Sequence, residues 1–157
     1  RSGQGFDVGG GLRVERVFDR LVFRLPQTNA QGSGRLSIPG IRSGNETLHL
    51  RCRAYRVRWG LEVPPRCGAQ RVALSVPRNH YPLTVREWEA GDRIRLHGGS
   101  RKLKRVFGEA RVPVSARHSI PIVSDSQGNV LWVAGLTRCA GQAAAQNTEL
   151  VIEIEDV

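Results

Sequence analysis

The run from Gly91 to Arg117 (GDRIRLHGGSRKLKRVFGEARVPVSAR) carries the residues best suited to chemistry, and that chemistry is anion capture. Residues 101–118 hold six cations, Arg101, Lys102, Lys104, Arg105, Arg111 and Arg117, against one acid, Glu109. Arginine offers a planar fork that fits two phosphate oxygens at once, and lysine a compact charge. Just upstream, Gly98-Gly99-Ser100 is a glycine-rich corner. If a helix starts there, its free backbone N–H groups and its dipole favour an anion at the same spot. The same run also reads as a solvated basic face that keeps a small domain soluble.

The elements that must position these cations follow from spacing. Leu103, Val106 and Phe107 lie at i, i+3 and i+4 and share one helical face. Ser100 is the expected N-cap, Gly108 the expected stop, and Pro113 closes the segment. With the apolar face inward, Arg101, Lys102, Lys104 and Arg105 point to solvent. Arg93-Ile94-Arg95-Leu96 reads as a strand leading into the corner. Asp92 is expected to lock the Gly91-Asp92-Arg93 turn, by accepting from turn N–H groups or by pairing with Arg93, and this structural role outweighs a catalytic one.

Composition bounds the rest. At 157 residues and 39% hydrophobic content the chain is globular, one domain or two small ones. Its net charge is +10, and Lys102 and Lys104 are its only lysines, so arginine supplies nearly all of the positive charge. A GC-rich genome inflates arginine, yet the charge here is regional. Residues 1–85 balance to +9 (14 Arg, 5 acids), residues 86–118 to +5 and residues 119–157 to −4. Regional charge favours a binding surface for nucleic acid over uniform composition.

Other chemistries find no support. Cys52, Cys67 and Cys139 are too few and too scattered for a disulfide framework or a zinc site, and His49, His80, His97 and His118 do not cluster near them. The thiols fit a reducing cytoplasm. There is no G-x-S-x-G elbow, no H-E-x-x-H, no Walker A loop and no G-x-G-x-x-G opening a helix after a strand; Gly9-Gly10-Gly11 lacks the required flanks. We therefore expect no catalytic residue, no metal ligand and no cofactor in this stretch of chain. No apolar run approaches the length of a membrane span and no signal peptide is present. A chain that opens at Arg1 and contains no Met reads as a segment of something longer.

Taken in order, Leu21–Leu25 alternates as a strand ended by Pro26, and the part before it reads equally as a helical turn or a hairpin arm. Residues 26–35 are an exposed loop, and Leu36-Ser37-Ile38 is followed by a turn. Leu48–Trp59 is strand-like but its apolar set changes parity, from Leu48, Leu50, Cys52 and Ala54 to Tyr55, Val57 and Trp59; a β-bulge near Ala54-Tyr55 is the expected cause. Its arginines, between Arg51 and Arg58, either track a phosphate backbone or form the wet face of a sheet, the second being favoured. Pro64-Pro65 and Gly68 suggest a seam, followed by a strand at Arg71–Val76. Ile120–Ser124 and Val130–Val133 flank a turn, with Trp132 in the core or on an edge. Ala140–Gln146 is a linker or short helix, and Leu150–Ile154 a last strand with an acidic outer face. The sum is an α+β fold, mostly antiparallel sheet with one or two short helices, divided as 1–81 and 82–157.

Several linked motifs occur in order over roughly residues 82–138: Pro82-Leu83 with Val85-Arg86 and Trp88, Gly91-Asp92-Arg93, Gly99-Ser100-Arg101-Lys102-Leu103-Lys104, Val112-Pro113 with Arg117, Ile120-Pro121-Ile122-Val123, and Val130-Leu131-Trp132-Val133-Ala134-Gly135-Leu136. Together they resemble the C-terminal domain of the tRNA(Ile)-lysidine synthase family. Ala134 replaces the family's usual proline, and His118 follows Arg117 where an acid is common. The resemblance implies a layered β-sandwich that binds tRNA(Ile), in a cytoplasmic ATP-dependent ligase that attaches lysine to the wobble cytidine of a CAU anticodon. Catalysis, with ATP and Mg, would belong to an N-terminal phosphate-loop domain whose motif this sequence lacks. That domain is itself an expected partner, and self-association stays open. On this reading Arg101, Lys102, Lys104 and Arg105 are the first contacts to RNA, with Arg86, Arg93, Arg95, Arg111 and Arg117 in support and Gly98, Gly99 and Ser100 as the phosphate seat. The alternatives are a basic module for an acidic protein partner or for RNA in general, and, more remotely, a small enzyme of unrecognised site.

Overall fold

A computed structural model describes residues 5–7, 13–17 and 20–24 by their backbone, and residues 34–51, 53–140 and 149–157 in full. The expectations for residues 26–33, Gly9-Gly10-Gly11, Cys52 and 141–146 lie outside the described residues. The chain divides into two compact units, Arg1–Gln31 and Gly32–Val157.

In the first unit, β1 (Gly5–Asp7), β2 (Arg13–Val17) and β3 (Arg20–Arg24) form an antiparallel sheet in that order. Val17 pairs with Arg20, so the stretch before Leu21 is the arm of a hairpin, not a helical turn.

The second unit runs β4 (Arg35–Ile38), β5 (Gly44–Leu50), β6 (Arg53–Gly60), β7 (Gln70–Ser75), a 3-10 turn over Arg78–His80, β8 (Leu83–Arg86), β9 (Arg93–Leu96), β10 (Gly99–Lys102), α1 (Leu103–Glu109), α2 (Val114–Arg117), β11 (Ile122–Ser124), β12 (Val130–Val133), β13 (Thr137–Arg138) and β14 (Glu149–Asp156). One sheet has the order β10-β9-β12-β11-β8-β4, with β13 beside β12; the other has β5-β6-β14-β7. All pairings are antiparallel except β9 with β12. The α+β class, rich in antiparallel sheet, is as the sequence indicates. The expected boundary at residues 81/82 falls inside this unit: β4 pairs with β8 across it, and β14 returns between β6 and β7.

Two apolar clusters explain the layering. Leu48, Leu50, Tyr55, Val57, Trp59, Leu150, Ile152 and Ile154 from one sheet pack with Leu36, Ile38, Leu83, Val85, Val123, Leu131 and Trp132 from the other. On the far side of the larger sheet, Ile94, Ile122, Val130 and Val133 pack with Leu103, Val106 and Phe107 of α1. Strands β11 and β12 are therefore covered on both faces, which is why they read as unbroken apolar runs.

The parity change between Leu50 and Tyr55 is a hairpin, not a bulge. Leu50 pairs with Arg53 and Leu48 with Tyr55. A two-residue connection pairs position i with i+3, which inverts parity while keeping both apolar sets on one face. Arg51 takes a left-handed φ of 36° to make the turn. Farther along, Trp59 lies against Gly44, where a Cβ would come within 2.1 Å of the indole.

On the acidic outer face of β14, Glu153 is buried and Glu155 half-buried. Glu153, only 1% exposed, stands directly between Arg58 of β6 and Arg71 of β7 in the strand register. Its carboxylate accepts from Arg58 and from the backbone N–H of Arg66 (3.2 Å), with Arg71 at 3.5 Å. Glu155 receives Arg56 and Arg66, and Asp156 receives Arg53. Removing one partner of a buried pair leaves an uncompensated charge. Glu153→Ala should therefore lower the unfolding free energy by about 3–5 kcal/mol. Asp156→Ala, at an exposed pair, should cost under about 1 kcal/mol. Urea unfolding followed by tryptophan fluorescence compares them, and equal losses would show that Glu153 is not the anchor of the sheet.

Candidate nucleic-acid interface

The basic segment folds differently from its sequence reading at one end and as expected at the other. Leu103, Val106 and Phe107 are buried as one face of α1. The helix does not begin at Ser100, however. Gly99–Lys102 is a strand, paired with Arg93–Leu96 through Gly99↔Leu96, Ser100↔Arg95, Arg101↔Ile94 and Lys102↔Arg93. Gly98, Gly99 and Ser100 thus sit in a tight β-hairpin, with Gly99 at φ 108°, and do not form a helix N-terminus. The first helical N–H, that of Leu103, instead donates to the Asp92 carbonyl at 2.9 Å. No helix-dipole phosphate seat exists there.

The helix ends beyond Gly108. Val112 N–H donates to Phe107 C=O (2.9 Å) and Arg111 N–H to Gly108 C=O (3.0 Å), the paired bonds of a Schellman ending. Arg111 holds the left-handed position at φ 55°, where glycine is the cheaper residue. Val112 then packs into the cluster that contains Phe107.

The expected contact residues separate into three groups. Arg86 is buried: both its terminal nitrogens donate to Asp92, at 2.9 Å each, and Nη1 also reaches the Glu87 carbonyl. The Asp92 bond holds the guanidinium pKa above its ordinary value against the cost of burial. Asp92 also accepts from Glu89 N–H at 2.7 Å, so its turn-locking role stands, but its arginine is Arg86 and not Arg93. Arg86 is a strut and offers no surface to a phosphate.

Arg101, Arg105 and Arg117 are partly engaged. Arg101 (2.8 Å) and Arg105 (3.1 Å) share Glu109. Arg117 Nε donates to Val112 C=O at 3.1 Å, and its guanidinium lies 5.8 Å over the Phe107 ring centroid, fixing the turn between the helices. Neighbouring His118 contacts Glu87 through Nδ1 at 3.1 Å and stacks beside Trp88.

The third group is exposed and has no acidic partner among the described residues: Arg93, Arg95, Lys102, Lys104 and Arg111. Arg93, Arg95, Ser100 and Lys102 share one face of the hairpin, with Arg93 directly opposite Lys102. Arg93 binds only Ser100, through Nε–H to Oγ at 2.9 Å. Like charges placed opposite across two strands destabilise a hairpin unless an anion covers them. The arginines of β6, by contrast, are matched to the acids of β14 and make no open track for phosphates.

Sequence reasoning passed over Asp125. Buried at the start of the β11–β12 turn, it accepts from His80 Nδ1 (3.0 Å), Gln127 N–H (3.0 Å), Asn129 N–H (2.8 Å) and Asn129 Nδ2 (3.1 Å). The run Asp125-Ser126-Gln127-Gly128-Asn129 signals a turn in sequence; the bond from His80, 45 residues away, does not show there. Among the described residues no group of three or more His, Cys, Asp or Glu is placed to hold a metal, and no helix is long and apolar enough to cross a membrane.

Residues 83–154 match the family model of the TilS substrate C-terminal domain. The chain is 44% identical over 137 residues to a tRNA(Ile)-lysidine synthase of Bacillus cereus, covering 85% of this chain and 28% of that protein. It is also 44% identical over 68 residues to that of Bacillus licheniformis, covering 42% of this chain and 14% of that protein. A solved TILS C-terminal domain superposes with a TM-score of 0.51 at 28% identity, over 78% of this chain and 98% of that one. The chain belongs to the TilS C-terminal domain family. It spans between 14 and 28% of the length of these two relatives. In this TilS domain the matched region holds the hairpin, α1 and the Arg86–Asp92 strut together.

Two positions of this TilS domain forgo stability for charge, and both are testable. Lys102→Glu, which turns the repulsive cross-strand pair into an attractive one, should raise the unfolding free energy by about 0.5 kcal/mol at low salt. Arg111→Gly should raise it by about 1 kcal/mol by relieving the left-handed residue. Urea melts at low and high salt check both; a fall in stability in either variant would show that the native side chain has a folding role.

Proposed function

We propose that this domain is the tRNA-gripping part of a tRNA(Ile)-lysidine synthase. The whole enzyme would use ATP, with Mg, in an N-terminal domain to activate the wobble cytidine of the CAU anticodon of tRNA(Ile) and join lysine to it. This domain would hold the tRNA body away from that chemistry and help to select tRNA(Ile) from the methionine tRNA that shares its anticodon. Full-length relatives bearing the synthase name support the pairing with a catalytic domain.

The observation that carries this reading is the uncompensated cross-strand pair Arg93↔Lys102, with Arg95 beside it, Lys104 on the adjoining helix and Arg111 just past that helix's end. A-form RNA is held chiefly through its phosphates and its shape, because side chains cannot read its deep, narrow groove. Cations on a two-stranded hairpin and a short helix, both anchored to a sheet, are spaced rigidly enough to meet successive phosphates. The backbone that carries these cations is preformed, so binding has to order their side chains but not the elements beneath them.

Binding to tRNA(Ile) and tRNA(Met) transcripts across a salt series tests it, with a variant in which Lys102, Lys104, Arg105 and Arg111 are Ala. Each phosphate that the protein no longer neutralises takes close to one unit from the slope of log affinity against log salt, so the variant should be shallower by about 3. A higher affinity for tRNA(Ile) places discrimination in this domain. Binding that is insensitive to salt, or a variant with an unaltered slope, would overturn the reading and favour a protein partner.

A further inference from the structure

Beside the hairpin lies a cleft of about 490 Å³ whose walls come from four segments: His80 of the 3-10 turn, Arg93, Arg95 and Ser100 of the hairpin, Asp125, Gln127 and Asn129 of the β11–β12 turn, and Cys139 after β13. We infer that this cleft binds one nucleoside monophosphate unit, its phosphate on Arg95 and Arg93 and its ribose or base edge on His80, Gln127 and Asn129. The volume falls within the roughly 300–1,000 Å³ usual for small-molecule sites and exceeds what a bare phosphate needs.

The cleft's polar groups are preorganised. Asp125 lines the cleft with both carboxylate oxygens taken by donors from His80, Gln127 and Asn129. It fixes His80 through Nδ1 and leaves Nε2 as the ring nitrogen free to meet a ligand. It likewise takes Asn129 Nδ2 and leaves the amide oxygen as an acceptor. Ser126 N–H donates to His80 C=O at 2.9 Å, tying the two walls together. The cleft thus presents two guanidinium forks on one side and oriented acceptor and donor groups on the other, complementary to an anion joined to a hydrogen-bonding heterocycle. The buried Asp125 charge opposes an anion, but it is satisfied by four hydrogen bonds, whereas Arg95 has no partner among the described residues. Cys139 at the rim adds no reactive group, since burial pushes its thiol pKa up.

The inference rests on the RNA-binding reading for where a strand-borne nucleotide would come from, but free nucleotide offers the same chemistry. Titrating the 157-residue chain with UMP, uridine and inorganic phosphate, followed by NMR shifts of the His80 ring and the Asn129 side-chain amide, tests it. UMP should bind at least tenfold more tightly than either fragment and move both signals. Arg95→Ala should weaken UMP at least tenfold, while Arg42→Ala, at an exposed cation outside the cleft, leaves it unchanged. A single-stranded pentanucleotide that competes with UMP, where a blunt RNA duplex does not, assigns the site to an unpaired nucleotide of a strand; UMP binding without such competition assigns it to free nucleotide. UMP binding no better than phosphate, or unaffected by Arg95→Ala, overturns the inference. If that happens while tRNA still binds with a steep salt slope, the cleft alone is refuted. If UMP binds and tRNA does not, the RNA reading fails and the cleft stands.

Discussion

Glu153 fixes the architecture around which everything else is arranged. A carboxylate that is 1% exposed must meet its charge and hydrogen bonds inside the protein, and here it can do so in one register only. With β14 one residue out of step, Glu153 would turn into the apolar layer of Leu150, Ile152 and Ile154, and Arg58 and Arg71 would be left without their partner. The C-terminal strand is thereby locked between β6 and β7, closing the smaller sheet over the core it shares with the larger one. Because the larger sheet is pinned from that side, its other face is free to seat α1 and to carry the hairpin.

The same lock sorts the arginines. A net charge of +10 could be smeared over the surface, and the regional sums invite the idea that all of it faces a ligand. Instead Arg53, Arg56, Arg58, Arg66 and Arg71 are drawn onto Glu153, Glu155 and Asp156 and hold the fold together. Among the described residues the cations of the hairpin and α1 meet only Glu109, already shared by Arg101 and Arg105. The hairpin and α1 thus carry a cluster of exposed cations without acidic partners among the described residues, while Arg42, Arg78 and Arg138 are exposed singly elsewhere in the second unit.

Local periodicity was legible in the sequence, and long-range partnership was not. The i, i+3, i+4 spacing of Leu103, Val106 and Phe107 finds α1 because a helix displays its packing face within a few residues. Alternation finds the strands for the same reason. A bulge and a two-residue hairpin, however, produce the same parity inversion, and the pairing of Leu48 with Tyr55 decides between them only in three dimensions. The Gly98-Gly99-Ser100 corner has the composition of a helix start; strand pairing with Arg93–Leu96 and the claim of Asp92 on the Leu103 N–H override it. An acidic alternate face looks solvated until its neighbours in the sheet are known to be arginines. His80 and Asp125 are invisible as a pair because nothing local links them.

Asp92 shows how the buried strut serves the exposed charges. Its side chain grips Arg86 at the end of β8 and caps the Glu89 turn, while its backbone carbonyl takes the first N–H of α1. One residue therefore joins the sheet, the turn into the hairpin and the start of the helix. The cations on those two elements cannot drift relative to each other without breaking a buried bidentate pair. A receptor for an extended anion that carries its cations on elements already fixed to one another gives up less freedom on binding than one that must first assemble those elements. Arg86, whose charge alone would suggest a phosphate ligand, is instead spent on holding together the elements that carry the exposed cations.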